Sequence, residues 1–169
     1  MGKVIPYGVY DVTGNSGWVS VGIDHDTADF AVDSILSWWK HMGSQAYPEA
    51  GELLICADSG GSMWKLGLQR LADTIGLPIN VCHLPPGTSK WNKIEHRMFS
   101  FITQNWRGQP LVSHETVVNL IGNTTTTTGL RIKAKLNRKK YQLGIKVSNA
   151  ELSKVNLKPA KFHGDWTTL

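Results

Sequence analysis

The sequence predicts an α/β domain, a mixed sheet flanked by helices, and three observations carry that expectation. The chain opens with two short runs of β-branched and aromatic residues separated by turn formers, the pattern of a hairpin. From Leu53 to His83 a strand, a helix and a second strand follow with short links, which implies a right-handed crossover between parallel strands. Between these units lies an aromatic stretch at helical spacing, suited to covering a sheet. With 169 residues and 41% hydrophobic content, one main domain with a real core is expected.

The hairpin strands are Val4 to Val12 and Gly17 to Ile23, joined by Thr13-Gly14-Asn15-Ser16. Asp26-Thr27 offers an N-cap for a helix in which Phe30, Ile35, Trp38 and Trp39 recur until Gly43. The unbroken apolar run Leu53-Leu54-Ile55-Cys56-Ala57 reads as a strand buried on both faces, ended by Asp58-Ser59-Gly60-Gly61-Ser62. A helix from Trp64 to Ile75 stops at Gly76, and Pro78 to His83 forms the next strand. Pro85-Pro86-Gly87 blocks further strand, and Ser89 caps a helix from Trp91 to about Trp106. Another helix lies around His114 to Ile121, Thr124 to Thr128 is a loop or edge strand, and a weak strand or loop follows Thr128. The expected division is a core at 1–125 and a basic C-terminal extension at 126–169.

The formal charge is +5, and it is uneven. Lys133, Lys135, Arg138, Lys139 and Lys140 cluster late in the chain while the first sixty residues lean acidic, so an anionic partner is expected. Cys56 and Cys82 lack metal-ligand spacing and read as buried thiols in a reducing cytoplasm. No apolar run reaches the ~18 residues of a membrane span, and the N-terminus carries no signal-peptide pattern, so a cytoplasmic protein without a membrane partner is expected.

Two carboxylates stand in unlike settings. Asp58 closes an apolar strand, where ligands bind in open α/β sheets, and Gly60 and Gly61 permit close approach. The plainer reading makes it a turn residue or helix cap. Glu95 follows the rigid proline turn, and helical spacing puts Asn92, Glu95 and Phe99 on one face, so that an amide and a carboxylate form an oxygen donor set. For Glu95 the plainer reading is a surface ion pair with Lys93 or Arg97. Lys90, Lys93, His96 and Arg97 surround that carboxylate, as a passing phosphate backbone requires. Trp91 and Trp106 are base-stacking candidates, although such residues more often pack in a core. His83 can shuttle a proton or make an ordinary hydrogen bond, and His25, between Asp24 and Asp26, reads as a turn residue.

Several segments together resemble one family: Pro6-Tyr7-Gly8-Val9-Tyr10-Asp11, Asp26 to Val32, Ala57-Asp58-Ser59-Gly60-Gly61-Ser62, Pro85 to Arg97 and Asn105-Trp106-Arg107-Gly108. They are similar to the Rhodopirellula-type (ISAzo) insertion-sequence transposases, and the likeness runs through essentially the whole chain. It implies an RNase H-like catalytic fold with a DDE triad of acidic metal ligands for Mg2+ or Mn2+. Asp58 matches the second acid and Glu95 the third, with the Asn92 amide as a further oxygen donor and Lys90, Lys93, His96, Arg97 and Arg107 on DNA. The family's first acid lies on a strand upstream of the Pro-Tyr-Gly motif. The expectation is therefore a partial catalytic domain lacking the first strand, with weakened metal binding and no activity alone. Asp11 or Asp24 is the available substitute for the first acid. Two further departures are the direct run Ser62-Met63-Trp64-Lys65 and the ending Trp166-Thr167-Thr168-Leu169.

Three functions compete. The first is a DDE transposase fragment acting on transposon ends. The second is a noncatalytic DNA-binding or assembly module that associates with full-length transposase, and the third is an RNase H-like nuclease on RNA or hybrid. A sheet without its central strand exposes apolar surface and unpaired backbone, so reduced stability or association with another copy is expected.

Overall fold

The computed structural model describes residues 2–57, 61–84, 87–159 and 167–168. Strands β1 (Ile5–Asp11) and β2 (Ser16–Gly22) form the expected antiparallel hairpin, with Val9 opposite Trp18. The turn places Asn15 at φ 46°, a left-handed conformation that asparagine tolerates better than most residues. The Asp11 carboxylate accepts from the backbone N–H groups of Thr13 and Gly14, both at 3.0 Å.

Helix α1 (Ala28–Trp38) begins where the Thr27 hydroxyl accepts the Phe30 N–H at 3.2 Å, a cap worth about 1 kcal/mol. It does not stop at Gly43: a π-helical turn, Trp39–Gly43, carries it into α2 (Ser44–Ala46). Strand β3 (Leu53–Ala57), helix α3 (Ser62–Ile75) and β4 (Ile79–His83) make the expected crossover, with β3 and β4 parallel. Gly76 ends α3 in the left-handed conformation at φ 70°, where glycine alone avoids strain. Helices α4 (Ser100–Trp106) and α5 (His114–Gly122) follow, and Ser113 caps α5 through the Thr116 N–H.

The stretch beyond Thr128 is a full strand. β5 (Arg131–Asn137) pairs in parallel with β2 along seven residues, so the first sheet has the order β1-β2-β5. The segment that composition marks as a basic extension thus begins by supplying a sheet strand, and Leu130 and Ile132 lie in the core. A short α6 (Asn149–Leu152) packs on α3, and β6 (Thr167–Thr168) pairs with β4, giving a second sheet of order β3-β4-β6.

The register assigns each sheet face a partner. One face of the first sheet presents Val19, Val21 and Ile132 to Met98, Ile102, Val117 and Ile121. Gly8 and Gly17 leave room there for Met98 and Phe99 to lie against the strands. From the opposite face Tyr7 and Val9 meet α1 and α3, and Ile55, Ala57, Ile79 and Val81 of the second sheet join the same cluster. The two sheets therefore share one apolar layer although no strand of one pairs with a strand of the other among the described residues. β1 and β3 are each outermost in their sheets.

The structure corrects the reading of β3 as buried on both faces. Leu54 is 64% exposed and Cys56 is exposed as well, because no described helix covers the side of the second sheet away from α1 and α3. An unbroken apolar run records only that each residue is apolar. Whether its second face is covered is decided by distant chain.

Two predictions follow from α1. A Cβ on Gly67 would lie 2.7 Å from Val32 Cγ2 at the α1–α3 contact. Alanine gains about 1 kcal/mol of helix propensity over glycine, but overpacking costs about 1–3 kcal/mol. Gly67→Ala is therefore destabilising in urea unfolding, and Val32→Ala/Gly67→Ala loses less than the two single changes added together. The Asp24 carboxyl is held below its ordinary value, first by the Tyr141 N–H that it accepts at 2.7 Å. That contribution is intact above about pH 4 and lost as pH falls through the lowered folded value. The protection of the Tyr141 amide, measured against its intrinsic exchange rate at each pH, should fall there, and Asp24→Asn should remove that fall.

Candidate functional site

The segment from β4 to α4 departs from one continuous α-helix. A 3-10 turn, Ser89–Trp91, comes first, in which the Trp91 N–H donates to the Thr88 carbonyl at 2.8 Å. Asn92 breaks the path, and its side-chain oxygen accepts the Ile94 N–H at 3.4 Å. The chain then enters a π-helical turn, Glu95–Phe99, closed by the Ser100 N–H on the Glu95 carbonyl, before α4 proper. Asn92, Glu95 and Phe99 consequently do not share a regular helical face. Asn92 precedes the helix, and the π turn widens the spacing between Glu95 and Phe99. Such turns are rare and recur at functional sites.

The packing beneath explains where these side chains point. Met98 is fully buried against the first sheet, which leaves Glu95, His96 and Arg97 exposed on the same turn. Glu95 makes no ion pair or hydrogen bond through its carboxylate among the described residues, so the surface pair with Lys93 or Arg97 is not formed. A carboxylate bordered in sequence by Lys93, His96 and Arg97 yet left unpaired is available to a ligand. Lys90 extends over the Trp91 ring at 5.9 Å from its centroid, and a ring nitrogen of His96 meets the Lys90 carbonyl. Trp91 is 65% exposed, so the core reading does not hold for it, whereas Trp106 is half-buried against the first core cluster. Arg107 is exposed just past α4.

Asp58 lies outside the described residues, as do Ser59, Gly60, Pro85 and Pro86 and the Ser89 side chain. The chain on either side is tied together nonetheless. The Leu84 N–H donates to the Ala57 carbonyl at 3.0 Å, one residue before Asp58 and at the start of the path to Glu95. Burial, and then Cys82, push the Cys56 thiol up, and the Lys93 charge acts in the opposite direction. The end of β3 is therefore bonded to the residue that follows β4. This backbone link has no sequence signature, because any non-proline residue at position 84 can make it.

The two substitute acids are already engaged. Asp11 accepts from the Tyr47 hydroxyl at 2.8 and 3.0 Å besides its two backbone donors. Burial, and then that carboxylate, push the Tyr47 phenol above its ordinary value and keep its proton in place. Asp24 holds Tyr141 and lies 2.9 Å from His25 Nδ1, which is a turn arrangement. Among the described residues, no three His, Cys, Asp or Glu side chains gather as a metal-binding group. His83 is half-buried at the end of β4.

The described residues thus form a mixed α/β domain in which the exposed Glu95 carboxylate has no ion pair or hydrogen bond among the described residues. The whole chain, residues 1–169, matches the family described as the Rhodopirellula transposase DDE domain, and the protein belongs to that family. No curated protein and no solved structure gives a significant match to it.

Because the Glu95 carboxylate makes no hydrogen bond or ion pair among the described residues, Glu95→Ala should change stability by less than about 0.5 kcal/mol. Urea unfolding of both proteins checks this. A larger loss would give the carboxylate a structural duty.

Proposed function

We propose that this chain carries the second and third acids of a DDE site for metal-dependent DNA cleavage and strand transfer at transposon ends, Asp58 and Glu95. The observation that carries the reading is the exposed, unpaired Glu95 carboxylate within a whole-chain family match. Carboxylate and amide oxygens are the donors that Mg2+ or Mn2+ prefers, which fits the chemistry of Asp58, Glu95 and Asn92. A bound divalent ion supplies Lewis-acid activation of the attacking hydroxyl and stabilisation of the leaving oxygen. Lys90, Lys93, His96, Arg97 and Arg107 hold and orient the DNA phosphates.

The finer fold reading is an RNase H-like sheet with a place for one more strand. Outermost strands β1 and β3 pack on the same helices and end in unpaired edges, which supports a strand between them that also brings the first acid. Asp11 and Asp24 are spoken for by Tyr47 and Tyr141, so neither replaces it without breaking a structural contact. Two acids hold metal weakly, and the chain by itself is inactive in strand transfer. Association with another copy or with a full-length transposase fills the gap. The reaction belongs in the cytoplasm with the DNA, and among the described residues no helix is long and apolar enough to cross a membrane.

A nicking assay on duplex DNA in Mg2+ or Mn2+ tests this. The chain alone should give no metal-dependent product. Adding a family-type peptide that spans the first strand and its acid should restore nicking, and Glu95→Gln should abolish the restored activity by at least about 100-fold. Restored cleavage that survives Glu95→Gln would remove Glu95 from the site.

A further inference from the structure

The late cationic cluster is not one surface. The fold sorts its members into neutralised and free groups. Arg138 pairs with Glu115 at 3.2 Å, and Lys139 pairs with Asp33 at 2.6 Å and lies over the Tyr141 ring. Lys140 forms no ion pair among the described residues, whereas Arg138 and Lys139 offset nearby acids around the segment that follows β5.

Arg131, Lys133 and Lys135 are different. They alternate with Ile132, Ala134 and Leu136 along β5, so the apolar set packs toward α5 and the three cations stand exposed on the opposite face. None has an ion-pair partner among the described residues, and the one hydrogen bond in this group runs from Lys133 Nζ to the His41 carbonyl at 3.5 Å. β5 is the outermost named strand of its sheet, next to β2, and at its outer edge Thr125 bridges Arg131 through the backbone. Side chains two residues apart on a strand stand about 6.6 Å apart, so the row spans about 13 Å. A charged edge strand also prevents sheets from joining edge to edge, but that purpose is served by either sign and by a single lysine. Three unscreened cations in a straight row, with no acid among them, fit a regular line of negative charge.

We propose that this face of β5 is a second DNA-contact surface, which grips the phosphate backbone of duplex DNA without metal and without reading sequence. It is separate from the Glu95 turn, because the π turn and α4 pack on the other face of the sheet through Met98 and Ile102. The inference rests on the transposition reading for the choice of DNA as the polyanion. A reaction that joins one duplex to another needs a hold on DNA away from the reacting phosphate, and a strand anchored by a buried Ile132 provides a rigid one.

The test is binding of a random-sequence duplex to the full chain in EDTA, followed by fluorescence anisotropy across a salt series. Replacing all three as R131Q/K133Q/K135Q should weaken binding more than tenfold at low salt. It should also lower the slope of log K against log salt by about 2.7, the value for three lost phosphate contacts. The charge-matched variant K146Q/K154Q/K158Q should leave the slope unchanged. On the unaltered protein, which needs no refolding control, duplex DNA should protect Lys133 and Lys135 from acetylation. Equal binding by the β5 variant, equal acetylation with and without DNA, or tighter binding of single-stranded RNA than of the duplex would each overturn the proposal. Nicking that depends on Glu95 is scored separately, so loss of that activity with the salt slope intact removes the catalytic reading alone.

Discussion

Much of this fold depends on α1, which lies against β1 and β2 and packs on α3 in the cluster that the second sheet joins. Phe30 fills the space against Gly22 and Tyr7 on the first sheet, while Ala31, Val32 and Ile35 enter the cluster shared with α3, β3 and β4. No described strand pairing joins the sheets, so this apolar contact sets how they sit together. Full burial of side chains such as Phe30 and Ile35 stabilises by about 1.5–3 kcal/mol each. The consequence reaches the proposed site: β3, which Asp58 follows in sequence, belongs to the second sheet, whereas Glu95 opens a turn whose Met98 is seated on the first.

Electrostatics divides the surface along the same lines. Where charges hold the architecture they are paired: Arg70 with Asp29, Lys139 with Asp33, Arg138 with Glu115, and Asp24 with a backbone donor. These exposed pairs contribute little energy apiece, and their effect is to settle side chains that would otherwise compete for other ions. At the π turn and on β5 the charged side chains form no ion pairs among the described residues. An uncommitted charge costs nothing while hydrated and is ready to exchange water for a ligand.

Local pattern made much of the fold legible. Thr27 and Ser113 cap the helices that they announce, Gly76 ends α3, and the alternation around Asn15 gives the hairpin. Other features depended on contacts that no short window contains. The β5 pattern Arg-Ile-Lys-Ala-Lys-Leu has a strand's period of two, yet it reads as a charged tail until β2 is known to lie beside it. The exposure of Leu54 and Cys56 reflects a missing cover, and the π turn reflects the need to bury Met98 against the glycines of β1 and β2. Glu95 stands out in the sequence by its proline-rich approach and cationic neighbours, and the structure leaves its side chain exposed. The break that parts it from Asn92 was not legible, since a helix broken at Asn92 has the same composition as an unbroken one.

The β2–β5 pairing also sets an order of events during synthesis. Trp18 finds its parallel neighbour Lys133 more than a hundred residues later, so the first sheet is a long-range contact that loop-closure entropy makes slow to form. While the ribosome is still working, the hairpin must wait with the apolar side of β2 uncovered, and α4 and α5 emerge before β5 can lock them down. The last quarter of the chain thus acts as a clasp on the first. A nascent protein of this design stays dependent on chaperones, or at risk of aggregation, until β5 has been made and paired.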